Sequence, residues 1–214
     1  DVERSRGLGD VYKRQVAIGY NLSEEKFWEP LRNIIPQFKI RASWGLVGND
    51  QTGAGRFTFL ENLTNSGAGF TTGTGNQTHT NSGPVWKRYA NPNLTWEVGE
   101  KWNAGIDVRI LKGFSFSADI FKEVRKEIFM DRGTIPTLMG LGNVTVQGNL
   151  GKMRNWGIDT SVDYNNQINK DLFVSFKGTF TFAHNKILEM DEPEFSLYPN
   201  RLKVGHSLNT CLLY

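Results

Sequence analysis

The chain has 214 residues, a net charge of +3 and 22% charged residues, and its length fits one domain or part of a larger protein. The charge is mild and interspersed, which excludes the basic stripe of a nucleic-acid-binding surface, and no window has the roughly 18 uninterrupted apolar residues of a membrane helix. The single cysteine, Cys211, excludes a disulfide framework and a cysteine-based metal site. With 23 glycines and 12% aromatic residues, the composition favours an all-β chain.

Both ends of the chain differ from the sequence between them. The segment 4–15 and the tail 211–214 fit nothing else in the chain. A single oligonucleotide, read on its two strands, can encode both DVYKRQ and CLLY, with coincidence as the alternative. We therefore expect residues 1–15 and 211–214 to be adapter sequence. Residues 16–210 are then expected to be a partial β-barrel cut from a longer gene.

Alternation of apolar and polar residues is the main signal in the rest of the chain. It predicts β-strands, because successive side chains of a strand point to opposite faces. One helical turn is predicted at 23–28, with Ser23 as its N-cap. All seven prolines lie outside the predicted strands, as expected of residues that cannot donate to a β-ladder. The strands are predicted near 16–20, 37–47, 94–110, 114–130, 150–165 and 172–189.

The connections between these strands alternate between long and short. Long loops are predicted at 48–93 and 131–149, and short turns at 111–113 and 166–171. Short turns at one rim and long loops at the other are typical of outer-membrane barrels, whereas a β-sandwich has turns every 8–12 residues. The sequence therefore predicts an all-β antiparallel meander of about six long strands, a segment of a transmembrane outer-membrane β-barrel. A soluble carbohydrate-binding β-sandwich and a passive porin-like barrel are the alternatives.

Each predicted strand has one apolar face and one charged face. In a membrane barrel the apolar face contacts lipid and the charged face lines a hydrated lumen. The residues expected to face lipid are Trp102, Ile106, Val108, Phe116, Ile158, Val162, Phe176 and Phe180. The residues expected to form a polar lumen wall are Lys39, Arg41, Lys101, Asp107, Arg109, Asp119, Asp159, Asp163 and Lys177. The wall charges either contact a ligand or another part of the protein in the lumen, or pair across strands and solvate the lumen wall.

The long loop 48–93 carries aromatic side chains of the kind that stack on sugar rings or anchor a partner protein. They are Trp86, Tyr89, Phe57, Phe59 and Phe70. No Ser/His/Asp or paired-carboxylate arrangement stands out, and the three histidines have no ligand partner at a suitable spacing. The acidic run 189–194 lacks an EF-hand pattern and is expected to be a solvated loop. We therefore expect no catalytic residue, no metal site, no cofactor and no enzymatic activity.

Three longer motifs follow one another in order: RASWGLVGND at 41–50, ANPNLTWEVGEKWNAGID at 90–107 and GNLGKMRNWGID at 148–159. With these motifs, the sequence resembles the C-terminal barrel region of SusC/RagA-type TonB-dependent transporters of Bacteroidetes over about 16–210. The segment RLKVGHSLNT at 201–210 is also similar, with His206 and Ser207 where the family often has a proline.

The resemblance implies a protein of the Gram-negative outer membrane. Its barrel would have about 22 strands, a plug domain and contact with outer-membrane lipid. It would import oligosaccharides or peptides with energy delivered by TonB, and a SusD-like surface lipoprotein would cover its extracellular mouth. About six strands cannot close a barrel, since the smallest have eight, so this chain would contribute wall strands and extracellular loops.

Overall fold

The computed structural model describes residues 13–49, 57–75, 77–110, 113–135, 144, 146–170, 172–194 and 199–210. Six long strands in this part of the chain form one antiparallel sheet. They are β1 Lys13–Asn21, β2 Gln37–Asn49, β7 Glu97–Ile110, β8 Phe114–Asp131, β9 Gln147–Asn169 and β10 Leu172–Glu189. Four short strands lie in the described part of the β2–β7 connection: β3 Asn62–Thr64, β4 Phe70–Thr72, β5 His79–Asn81 and β6 Val85–Arg88.

The long strands lie side by side in the order β1-β2-β7-β8-β9-β10, which confirms the predicted antiparallel meander. One end of the sheet carries the connection 22–36 and the turns after β7 and β9. The other end carries the long β2–β7 and β8–β9 connections and the segment after β10. We call these the short-turn end and the long-loop end. Within the described residues β1 and β10 do not pair, so the sheet does not close on itself.

Several element boundaries differ from the prediction. β9 extends past both ends of the predicted 150–165. β7 begins at Glu97 and not at 94, after a turn at 92–93. The predicted loop 48–93 contains two small hairpins, with β4–β5 nested inside β3–β6. Residues 13–15 of the expected adapter segment continue β1, while residues 1–12 and 211–214 lie outside the described residues.

The helical turn predicted at 23–28 is present as two 3₁₀ segments, Leu22–Glu24 and Lys26–Leu31. The assignment of Ser23 as N-cap is wrong. Asn21 occupies the cap position without a side-chain hydrogen bond, and Ser23 lies buried in the first segment. The Ser23 carbonyl accepts hydrogen bonds from Arg32 Nε at 3.2 Å and Nη2 at 2.7 Å, so this residue stabilises the connection through its backbone.

In the part of the chain that the structure describes, the sheet is a single layer, and no second layer covers either face. Among the described residues, Ile187 is the one hydrophobic side chain that is buried. The accessible surface is 16131 Å², well above the roughly 10,000 Å² expected of a compact monomer of this mass. A β-sandwich packs two sheets face to face around a core, so the sandwich alternative is wrong for this part of the chain. No helix among the described residues is both long and apolar enough to span a membrane.

At the short-turn end, Gly113 lies directly against β9. Gly113 has a φ of +96°, a conformation that side chains with a Cβ rarely adopt. A Cβ here would also collide with the Asn165 carbonyl of β9. The Asn165 N–H donates to the Gly113 carbonyl at 2.7 Å, so glycine lets this turn sit directly against the next hairpin.

The segment 199–210 returns to the end of β10. The Ile187 N–H donates to the His206 carbonyl at 2.9 Å, and the Asn185 side-chain carbonyl accepts from Ser207 Oγ and the Leu208 N–H, both at 2.8 Å. In the acidic run, the Glu192 carboxylate accepts from the backbone N–H of Lys203 at 2.9 Å. The acidic run therefore fastens this segment to β10.

Candidate functional site

The apolar face of the sheet is continuous across β2, β7, β8, β9 and β10. Register places all eight residues expected to contact lipid on this one face, and none of them is buried. Trp102 is 50% exposed and Phe180 is 63% exposed. A face this apolar and this open requires an apolar partner, because roughly 25 cal/mol is lost for each Å² of apolar surface that stays in water.

Two aromatic rows bound the apolar face. Toward the long-loop end, directly paired positions place Trp44, Trp102, Lys122 and Trp156 in line across four strands, and we call these the tryptophan row. Toward the short-turn end, Phe114, Tyr164 and Phe176 form a second row beside Ile110. On β7 the band between the rows spans positions 102–110, which matches the about 9–11 residues that cross a bilayer as a tilted strand.

The opposite face holds the nine charged residues expected in the lumen wall. Register places all nine on this face. At its centre, Arg41 Nε lies 3.1 Å from Asp107 Oδ2, and Arg41 Nη2 lies 2.6 Å from Asp119 Oδ2. Ser117 Oγ donates to Asp107 Oδ1 at 2.8 Å. One guanidinium therefore holds together carboxylates from two neighbouring strands.

Other wall charges divide into paired and unpaired groups. Lys101 lies 3.7 Å from Glu123, and Lys177 lies 3.6 Å from Asp163. The side chains of Lys39, Arg109 and Asp159 form no hydrogen bond or ion pair with another described residue. Cross-strand pairing thus accounts for most of the predicted wall, and these last three side chains are the ones left available to solvent or a ligand.

Replacing Arg41 with alanine is expected to lower the free energy of unfolding of the full-length protein by about 1–2 kcal/mol. The change leaves Asp107 and Asp119 without their shared cation, and the Asp119 side chain is only 18% exposed. Guanidinium unfolding of the full-length protein, followed by tryptophan fluorescence, measures the difference. Arg109→Ala is the matched control and is expected to change stability by less than about 0.5 kcal/mol. Equal losses in both variants would contradict the central role of Arg41.

The long-loop end brings four of the five predicted contact aromatics into one assembly. Trp86 and Tyr89 stack with ring centroids 5.6 Å apart, and Phe57 meets Phe59 edge to face at 6.3 Å. Arg88 Nη2 donates to the Phe57 carbonyl at 3.0 Å, and the Asn91 N–H donates to the Phe59 carbonyl at 3.1 Å. Phe70 lies apart from these, on the β4–β5 hairpin, and is 66% exposed.

Sequence reasoning missed the side chain that joins this assembly to the sheet. Asn149 Oδ1 accepts from the Thr95 N–H at 3.0 Å, and Asn149 Nδ2 donates to the carbonyls of Thr95 and Glu127, both at 2.8 Å. Glu127 lies in a β8 bulge with a φ of +57°. The hydrogen bond from Asn149 therefore stabilises the strained backbone of this bulge. Asn91 Nδ2 adds a hydrogen bond to the Gln147 carbonyl at 3.0 Å. The motifs beginning at 90 and 148 are therefore in direct contact. The asparagines in both motifs were the sequence feature that could have indicated this contact.

A cleft of about 480 Å³ opens beside this junction. Its lining combines the Tyr89 ring with the polar side chains of Glu127, Arg132 and Gln147. An aromatic face with a few polar groups is the composition that binds small polar ligands. Among the described residues, no group of three or more histidine, cysteine or acidic side chains is placed to hold a metal ion.

Comparison with known sequences identifies relatives along almost the whole chain. The family model described as TonB dependent receptor-like, beta-barrel matches residues 14–209. The TonB-dependent receptor SusC of Bacteroides thetaiotaomicron is 26% identical over 184 residues, which cover 86% of this chain and 18% of SusC. The TonB-dependent receptor P39 of Formosa agariphila is 26% identical over 204 residues, which cover 93% of this chain and 18% of P39. The chain thus spans less than a fifth of the length of these relatives.

Solved structures share the fold. The RagAB peptide importer in its closed-closed state matches with a TM-score of 0.69 and 18% identity, over 91% of this chain and 20% of that chain. Its open-open state matches with a TM-score of 0.63 and 21% identity, over 82% of this chain and 18% of that chain. The single-layer meander is therefore a known arrangement of strands within a larger chain.

Proposed function

The chain belongs to the TonB-dependent receptor β-barrel family, and from this premise we propose that its six long strands form a continuous part of the wall of an importer. Members of this family are outer-membrane transporters and not enzymes. In this proposal the apolar face contacts lipid, the charged face lines the lumen, and the long-loop end lies outside the cell. The strands and loops position substrate, while the energy for transport is delivered elsewhere in the protein.

One observation carries the proposal: the apolar face is bounded by two aromatic rows and lies open across the sheet. The height between the rows fits the hydrocarbon layer of a bilayer, and aromatic rows at both margins are typical of outer-membrane barrels. On the other face, Arg41 and the paired lysines place charge where a hydrated lumen would solvate it. A passive porin-like barrel would use the same faces, but the family match favours a TonB-dependent importer.

The proposed substrate is an oligosaccharide or a peptide. The stacked Trp86 and Tyr89 rings and the neighbouring cleft with Glu127 and Arg132 support it, since aromatic faces pack on sugar rings and on apolar peptide side chains. The RagAB importer of similar fold handles peptides, which makes a peptide a reasonable substrate here as well. We further propose a SusD-like surface lipoprotein over the long-loop end and TonB as the energy-transducing partner.

Cysteine substitutions at two adjacent positions of β9 test which face contacts lipid and which faces water. In a cysteine-free full-length transporter reconstituted in vesicles, Asp159→Cys is expected to react with a water-soluble maleimide at least tenfold faster than Ile158→Cys. The reason is that a thiol in hydrocarbon is not ionised and is not reached by the reagent. Mass spectrometry of the labelled protein measures both rates.

The same pair provides its own control, because the two residues are adjacent in one strand and differ in the face they occupy. Brominated phosphatidylcholine should quench Trp102 fluorescence in the same vesicles, as expected for a ring in contact with acyl chains. Equal maleimide rates together with unquenched Trp102 would refute the proposed orientation.

A further inference from the structure

The tryptophan row contains one residue that is not aromatic. Lys122 of β8 lies between Trp102 of β7 and Trp156 of β9 at directly paired positions. Its side chain is exposed and forms no hydrogen bond or ion pair with any described residue. A lysine is costly on a lipid-facing surface unless it lies close to the interface or meets an anion. Lys122 lies in the row that bounds the apolar band, so its ammonium group is placed at the level where lipid headgroups would lie, and no anion among the described residues meets it.

The next paired positions toward the long-loop end add two further cations on the same face. Arg154 of β9 lies directly opposite Lys186 of β10 and diagonally across from Lys122. Like charges at directly opposite positions destabilise a sheet. In addition, Arg154 Nε is buried and has no hydrogen-bond partner among the described residues, and leaving such a charged donor unsatisfied is unfavourable.

The neighbouring cations of this patch have carboxylate partners. Lys126 Nζ lies 3.1 Å from Glu100 Oε2, and Lys152 Nζ lies 2.7 Å from Glu189 Oε1. Within the described part of the patch, the carboxylates are thus already used by these two lysines. Three positive charges on this face are left without a partner among the residues that the structure describes: Lys122, Arg154 and Lys186.

An apolar groove begins beside this patch. It has a volume of about 400 Å³, and Ala42 and Ala104 form its low floor between the larger side chains of Ile18, Trp102 and Ile120. Lys122 belongs to its lining. A free anion would satisfy the cations but would leave the groove empty. A hydrocarbon chain ending in a phosphate would satisfy both features.

We propose that this surface is a specific site for a phosphate-bearing membrane lipid in the leaflet next to the long-loop end. The phosphate is bound by the Arg154 guanidinium and by the Lys122 ammonium, with Lys186 at its margin. One acyl chain lies in the groove over Ala42 and Ala104. The site rests on the proposed lipid contact of the apolar face, and it adds selectivity for the headgroup of the lipid.

Native mass spectrometry of the detergent-solubilised full-length transporter tests the site with two probe lipids. Dioleoyl phosphatidic acid and dioleoylglycerol carry the same acyl chains and differ in the phosphate. The wild type is expected to bind the phosphatidic acid at least tenfold more tightly than the dioleoylglycerol. In K122Q/R154Q this preference is expected to fall below twofold. K177Q, which removes an exposed lysine from the opposite face, is the matched control and should keep the wild-type preference.

Two results would overturn the site. One is an unchanged preference in K122Q/R154Q whose folding is confirmed by heat-modifiable gel migration. The other is full displacement of the lipid by millimolar inorganic phosphate, which would identify a free-anion site. Trp102 quenching by brominated phosphatidylcholine separates this failure from failure of the proposed function. Quenching without a preference for the phosphate-bearing lipid would refute the lipid site alone. Absence of quenching would refute the proposal that this face contacts lipid.

Discussion

Replacing Ile106 with aspartate is expected to prevent assembly of the full-length barrel. Ile106 is the middle position of the apolar band on β7, paired with Ile40 and Ala118 on the same face. A charged side chain at the midplane of the lipid face of a barrel costs up to about 2–4 kcal/mol, with aspartate below lysine and arginine, and the apolar contact of the isoleucine is lost as well. That loss is a large part of the stability of a typical folded protein. Heat-modifiable migration of outer-membrane fractions on gels measures the assembled fraction.

Asp107→Asn is the matched control, one residue further along the same strand and on the other face. An amide at this position still accepts a hydrogen bond from Ser117, and Arg41 keeps its 2.6 Å contact with Asp119. The barrel is therefore expected to assemble at near wild-type levels. If both variants assembled equally well, β7 would not have one lipid face and one lumen face.

The six long strands and their two faces were predictable because their signal is local. A period of two is written into each strand, and the residues at 101–110 alternate without interruption. Antiparallel neighbours then share faces, so a face assigned on β7 extends to β8 and β9 once the register is set. The charge pairs Arg41–Asp107 and Lys177–Asp163 follow from the same alternation, although their partners could not be chosen before the register was known.

Features that depend on contacts between distant segments were not predictable in the same way. The β8 bulge at Glu127 has no distinctive residue in its own segment, and it is stabilised by Asn149, which lies on another strand. The short hairpins inside 48–93 have three or four residues per strand, too few for alternation to be recognised. Ser23 matched a capping pattern, but the connection 22–36 uses its carbonyl group instead.

The unpaired cations beside the tryptophan row show the same limit. In the sequence, Lys122, Arg154 and Lys186 are ordinary charges separated by about thirty residues. Only the strand register places Arg154 opposite Lys186 and Lys122 in line with three tryptophans. That these cations lie on an apolar face can be recognised only when neighbouring strands are placed side by side, which requires the folded sheet.

Replacing both Trp86 and Tyr89 with alanine is expected to weaken substrate binding by the full-length transporter roughly tenfold to thirtyfold, with folding unchanged. Truncating an aromatic side chain at the centre of a binding surface typically costs about 2 kcal/mol, and these two rings form one stacked unit beside the cleft. Isothermal titration calorimetry with an oligosaccharide or peptide substrate measures the change in Kd. Uptake at low substrate concentration should fall in parallel.

Phe27→Ala is the control for the loss of an exposed ring. Phe27 is 63% exposed but lies in the β1–β2 connection at the short-turn end, so its removal should leave substrate binding unchanged. Phe70→Ala tests whether the separate β4–β5 hairpin also reaches the substrate. If the double variant binds substrate normally but no longer co-purifies with the proposed surface lipoprotein, the stacked pair anchors that partner. The two rings lie in the long-loop assembly and not in the wall. If the double variant keeps both interactions, we infer that the charged lumen face recognises the substrate. The next positions to change would then be Lys39, Arg109 and Asp159.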